Sequence, residues 1–99
     1  MARGDVLANV VAVSGTSSHT VQPGSGVEWI IKAFGGDASA SVILRANNGS
    51  ITTDMVTASQ ANVVGNRVTV PINNSNYLAI RNSSGSTINV AYYGYITKE

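Results

Sequence analysis

The chain is poor in side chains that do chemistry. It has no cysteine and one histidine among 99 residues. Without thiolates there is no disulfide, no thiolate zinc site and no cysteine nucleophile. One imidazole is too few for a histidine-based metal site. His19, in Ser17-Ser18-His19-Thr20, has no nucleophile motif beside it. It reads as a surface histidine at the start of a short strand. The carboxylates are Asp5, Glu28, Asp37, Asp54 and Glu99. A glycosidase needs two of them across a cleft, roughly 5–10 Å apart. Asp5 and Glu99 lie near the ends of the chain, Asp37 follows a Gly-Gly turn, and Glu28 shares a strand face with Lys32. That leaves Asp54, and one acid is not a pair. No Asp-rich loop supplies the several oxygens that calcium takes. The glycines are not in phosphate-binding spacing between a strand and a helix. No catalytic activity, metal or cofactor is expected.

Composition narrows the remaining classes. At 10.2 kDa the folded surface should be roughly 5,300 Å², against roughly 14,800 Å² unfolded. That is one domain with one modest core. Charged residues are 11% of the chain, where about 25% is usual. Ser, Thr and Asn replace them, at 30 of 99 residues. A net charge of +1 gives no footprint for nucleic acid. No apolar run approaches the ~20 residues that span a bilayer as a helix. The early apolar stretch Val6 to Val13 is broken by Asn9 and preceded by Asp5, where an export signal would be positive. It is expected to be a strand, in a protein made in a cytoplasm. The sequons at Asn48, Asn73 and Asn82 read as accidents of an Asn/Ser-rich chain, and Arg3-Gly4-Asp5 as a chance tripeptide.

The elements that position these residues are strands throughout. Val27, Trp29, Ile31 and Ala33 share one face of a run, with Glu28 and Lys32 on the other. Val42 and Leu44 face inward in the next run, with Ile43 opposite. Ile51, Thr53 and Met55 mark a weaker strand. Val68, Val70 and Ile72, then Leu78 and Ile80, alternate with outward residues. In the last strand Ile88, Val90, Tyr92, Gly94 and Ile96 face one way, and Asn89, Ala91, Tyr93, Tyr95 and Thr97 the other. Gly35-Gly36-Asp37, Asn48-Gly49, Gly65-Asn66, Asn73-Asn74-Ser75-Asn76 and Ser83-Ser84-Gly85 separate the runs. Pro23-Gly24-Ser25-Gly26 closes a short His19–Gln22 segment. Asn48-Gly49 predicts a type I′ hairpin. Thr57 to Asn62 reads as a loop or helical turn crossing between sheets. About eight short strands at this spacing predict an all-β antiparallel sandwich, with a jelly roll fitting the count. Residues 1–13 form an N-terminal arm or first strand, and residues 14–99 the sandwich domain.

Some strands look apolar on both faces. Ile30 and Phe34 are placed on the polar-side face of the Trp29 strand, and Tyr93 and Tyr95 form an outer patch on the last one. A sandwich alone in water does not need that. A homo-oligomer covering part of the second face explains it, and few surface charges suit close-packed copies.

The run Val21-Gln22-Pro23-Gly24-Ser25-Gly26-Val27-Glu28-Trp29-Ile30-Ile31, the segment Asn76-Tyr77-Leu78-Ala79-Ile80-Arg81-Asn82, and the closing strand Ala91-Tyr92-Tyr93-Gly94-Tyr95-Ile96 resemble the capsid decoration (cement) and head-fibre β-sandwich proteins of tailed bacteriophages. The resemblance covers roughly residues 20–97 and is one of pattern. It implies a non-enzymatic homotrimer on the virion surface whose partner is the major capsid protein. It transfers no residue-level site. The contact candidates taken from the residues are Ala2, Arg3, Val6, Leu7 and Val10 in the first segment, with Ile30, Phe34, Tyr93 and Tyr95. The alternative is a carbohydrate-binding, lectin-like sandwich, with Tyr93, Tyr95, Tyr77 and nearby Asn residues holding a surface glycan.

Overall fold

The computed structural model describes residues 4–36, 42–58 and 66–99. Ala2, Arg3, Asp37, Ser41, Gly65 and most of the Thr57–Asn62 segment lie outside them. The described residues form eight strands: β1 (Val6–Val13), β2 (Ser18–Val21), β3 (Glu28–Gly36), β4 (Val42–Asn47), β5 (Thr52–Thr57), β6 (Arg67–Ile72), β7 (Tyr77–Asn82) and β8 (Ile88–Lys98). They make two four-stranded sheets, β1-β8-β3-β6 and β2-β7-β4-β5. Every pairing is antiparallel. The pairs 1–8, 2–7, 3–6 and 4–5 are those of one long ribbon folded in half. The pairs 8–3 and 7–4 are added when that ribbon wraps on itself. The total surface is 5159 Å², close to the value expected for the mass.

The core lies between the sheets and follows the alternation. Leu7 and Val13 enter it from β1, Val42 and Leu44 from β4, Leu78 and Ile80 from β7, and Val90, Tyr92 and Ile96 from β8. Trp29 packs against it from a partly buried position. The Trp29 indole N–H is buried with no hydrogen-bond partner among the described residues.

The alternation breaks in β3. Ile31 pairs with Gly94 and Ala33 pairs with Tyr93, so Lys32 is an extra residue in the ladder. Such a bulge reverses the parity of everything after it. Trp29 and Ile31 point inward before it, and Phe34 points inward after it, fully buried. Phe34 is therefore a core residue and not an outer-face one. The bulge needs its partner strand to be close. A Cβ on Gly94 would collide with the Ile30 carbonyl oxygen, so glycine lets the two backbones meet there.

Three local expectations change. β3 runs through Gly35 and Gly36, which are strand residues and not a turn. The β4–β5 hairpin forms, but not by a type I′ turn. Gly49 has φ +92 while Asn48 does not have positive φ. Instead the Asn48 side-chain oxygen accepts from the Ser50 and Ile51 amides, and that of Asn47 accepts from Gly49 N–H. His19 shares the inward face of β2 with Val21, half-buried, and stacks on Tyr92 with ring centroids 6.0 Å apart. It is a rim residue of the core rather than a surface histidine.

One buried polar side chain ties an end of the sandwich together. Asn82 is fully buried at the end of β7. Its amide nitrogen donates to the carbonyls of Val13, Ser14 and Ser86, and its oxygen accepts from the backbone and hydroxyl of Ser84. It thus holds the start of the β1–β2 turn against the β7–β8 loop.

Candidate functional site: the outer face of the first sheet

Register assembles this face across four strands. Val6 on β1 lies beside Tyr95 on β8, then Ile30 on β3, then Pro71 on β6. The next row is Ala8, Tyr93 and Ala33. The third is Val10, Ala91 and Gly35. Side chains directly opposite in such pairs touch, so these rows form one continuous apolar surface. Val6 and Val10 are 65% and 64% exposed, and Tyr93 and Tyr95 43% and 47%. Half-exposed tyrosines and nearly free valines beside one another mark a surface whose apolar area is still in water.

Polar groups border this surface. Glu28 pairs with Lys98 at one end, and Asn89 stands at the other beside Ala12. On the β6 side Lys32 reaches over to donate to the Thr69 hydroxyl at 2.9 Å, with Arg67 in the same strand. An apolar centre inside a polar border is also the general layout of known protein–protein interfaces.

The outer face of the second sheet is different. Its cross-strand rows are Thr20, Ala79, Arg45 and Asp54, then Ser18, Arg81, Ile43 and Thr57. Arg45 Nε lies 2.7 Å from Asp54 Oδ1, although its N–H does not point along that line. Ile43 is half-buried between Arg81 and Thr57. That face is built for solvent. Apolar residues exposed elsewhere are Ile51, Met55 and Val56 at the β4–β5 hairpin. Ile51 and Met55 line a cleft of about 330 Å³ that opens between β5 and β6, with Val70, Pro71 and Tyr77.

The structure sorts the sequence-derived candidates into three groups. Val6, Val10, Ile30, Tyr93 and Tyr95 lie together on this one face. Leu7 and Phe34 do not belong to it, because both are buried in the core. Ala2 and Arg3 are outside the described residues. The first segment is an integral strand from Val6 onward, and Gly4 N–H and the Asp5 carbonyl already bond to Ile96. Ala8, Ala33 and Pro71 were not singled out by sequence. For Ala8 the signal was present, since Val6, Ala8, Val10 and Ala12 alternate as outward apolar residues. For Ala33 and Pro71 it was not, because their place depends on the β3 bulge and the β6 register.

The glycan constellation is divided. Tyr77 is on the second sheet beside Asn47, while Tyr93 and Tyr95 are on the first. The cross-strand neighbours of Tyr93 and Tyr95 are Val6, Ala8, Ile30 and Ala33. These supply no hydrogen-bonding side chains. No group of three or more His, Cys, Asp or Glu side chains able to hold a metal occurs among the described residues.

Comparison with protein-family models finds no match for the chain, and comparison with curated proteins finds none either.

Proposed function

We propose that this protein is a non-enzymatic structural component of a virion, a decoration or head-fibre protein that binds the outside of a phage capsid as an oligomer. The observation that carries the reading is the bordered apolar face of the first sheet. Burying Val6, Val10, Tyr93 and Tyr95 against a protein partner would remove from water area worth about 25 cal/mol per Å². No chemistry is required: each copy contributes a modest contact, and symmetry multiplies it. The strand order, with its once-wrapped ribbon, supports a jelly-roll winding, common among capsid and lectin domains. Fold alone does not choose between those two.

The face favours the protein partner over the sugar. A sugar site needs hydrogen-bonding side chains around its aromatic platform, and the cross-strand neighbours here are aliphatic. The sign of the charges on the border decides nothing, because they are few and mixed.

The test is co-sedimentation with purified, undecorated capsids from the source of the chain. The protein should sediment with the capsids, and Tyr95→Ala should weaken binding by tenfold or more. Failure of the wild-type chain to bind, with measurable affinity for a soluble glycan that Tyr93→Ala abolishes, would replace this reading with the lectin one.

A further inference from the structure

Among the described residues β1 pairs on one side only, with β8. Its other side carries a row of backbone N–H and C=O groups with no described strand beside it. Three other strands of the sandwich are edges, and each carries a feature that discourages pairing with another chain. β2 is only four residues long. β5 holds Asp54 and a break in register. β6 holds Arg67 and Pro71, and proline cannot donate to a ladder. β1 has none of these. It is eight residues long, uncharged, without proline or glycine, and in unbroken register with β8.

We infer that β1 is the pairing strand for a second copy of this chain, antiparallel, about a two-fold axis perpendicular to the first sheet. Two four-stranded sheets become one of eight. The contact is isologous, each β1 being donor and acceptor to the other. An unprotected edge finds its matching unprotected edge in another copy of itself, because the other three edges are guarded.

Side-chain parity restricts the register. Outward residues must oppose outward residues, so the axis passes through a residue and not between two. Centring on Asn9 opposes Val6 to Ala12 and Ala8 to Val10. It also lays the two Asn9 amides side by side on the other face, where each donates to and accepts from its mate. Asn9 is the one polar side chain of the strand and is exposed in the single chain. The ladder spans residues 6 to 12 and closes about eight hydrogen bonds. A typical interface has about 10 ± 5. Pairing leaves Tyr93 and Tyr95 uncovered and sets two copies of the apolar face edge to edge. The inference deepens the assembly reading and rests on it for the use of that doubled face, while the pairing rests on the edge itself.

The experiment is light scattering after gel filtration, over a hundredfold range of concentration, with amide hydrogen exchange on the same samples. A species of about twice the 10.2 kDa chain mass is expected. The β1 amides that point away from β8 should exchange at least tenfold more slowly at high concentration than at low. Val10→Lys, at an exposed outward position, should give a folded monomer that loses this protection, and Tyr95→Ala should stay paired. A monomer at every concentration overturns the inference, as does a three-chain species. A dimer that Tyr95→Ala disrupts and Val10→Lys does not would mean that the copies meet face to face, which also overturns it. Co-sedimentation of the wild-type chain with capsids separates the two readings. A monomer that still binds capsids removes only the pairing, and a dimer that ignores them removes only the capsid.

Discussion

Asn82→Ala is the substitution whose cost follows most directly from the structure. The side chain is fully buried and makes five hydrogen bonds to Val13, Ser14, Ser84 and Ser86. Alanine removes all five and fills little of the space. The Val13 carbonyl, in a buried contact at 2.9 Å, loses that partner where water does not reach, at a cost of about 1–2 kcal/mol. The serine groups are nearer solvent and recover part of their loss, so they add about 1 kcal/mol between the two loops. The total is about 2–3 kcal/mol. For a domain of this size that lowers Tm by about 8–24 °C. The assay is urea unfolding followed by circular dichroism, with the midpoint falling and the slope unchanged. A loss under about 0.5 kcal/mol would refute the account of Asn82 as a tie between the two loops. Asn82→Asp sharpens the test. It keeps the shape but aims a carboxylate at carbonyls, and burial together with those dipoles disfavours its charged form. The folded pKa of the introduced acid is then above the unfolded value of about 3.9. Its penalty is absent below that value and grows as pH rises toward the folded pKa. The variant should therefore regain stability relative to wild type on acidification, read as the difference between the two melting temperatures at pH 4 and pH 7.

Other substitutions test other parts of the reasoning. Phe34→Ala should cost about 3–5 kcal/mol, as expected for a buried aromatic, while Tyr95→Ala on the outer face should cost under about 1 kcal/mol; equal losses in denaturant midpoints would return Phe34 to the surface. Gly94→Ala drives a Cβ into the Ile30 carbonyl at the bulge and should cost about 1–3 kcal/mol or more by thermal melting, with a neutral result contradicting the close approach. Asp54→Ala removes a partner of Arg45 that is 60% exposed, so the loss should stay below about 1 kcal/mol and fade with added salt; a larger, salt-insensitive loss in the same assay would mean the pair is not surface-like.

How far the fold was legible depended on whether the signal was local. Alternation places Val42, Leu44, Leu78, Ile80, Val90 and Ile96 inward, because period-2 patterning states which face is buried. Eight strands follow from the same signal and from the turn residues between them. Phe34 was misplaced because the bulge at Lys32 is not a property of β3 alone. It needs Gly94 on β8 to let the backbones approach, and nothing in the β3 segment announces that. The Asn48-Gly49 hairpin was legible as a hairpin and not as a turn type, since side-chain oxygens of Asn47 and Asn48 hold the loop instead of a tight two-residue turn. Leu7 was grouped with Val6 and Val10 as a contact residue. Once the segment is a strand, Leu7 must point opposite to both, into the core. The candidate face was visible in pieces, as an apolar first segment and a pair of outward tyrosines. Only the register of β1 against β8 shows that the pieces adjoin, and register between distant segments is not written in either of them.

The central claim is that the outer face of the first sheet is covered by protein in the working assembly. Tyrosine modification measures this directly, with nitration of Tyr93 and Tyr95 followed by peptide mass spectrometry in the free chain and in the capsid-bound state. Both side chains should react readily when free and be protected at least tenfold when bound, with buried Tyr92 slow in both states. Equal reactivity of Tyr93 and Tyr95 in the free and bound chain would contradict the account.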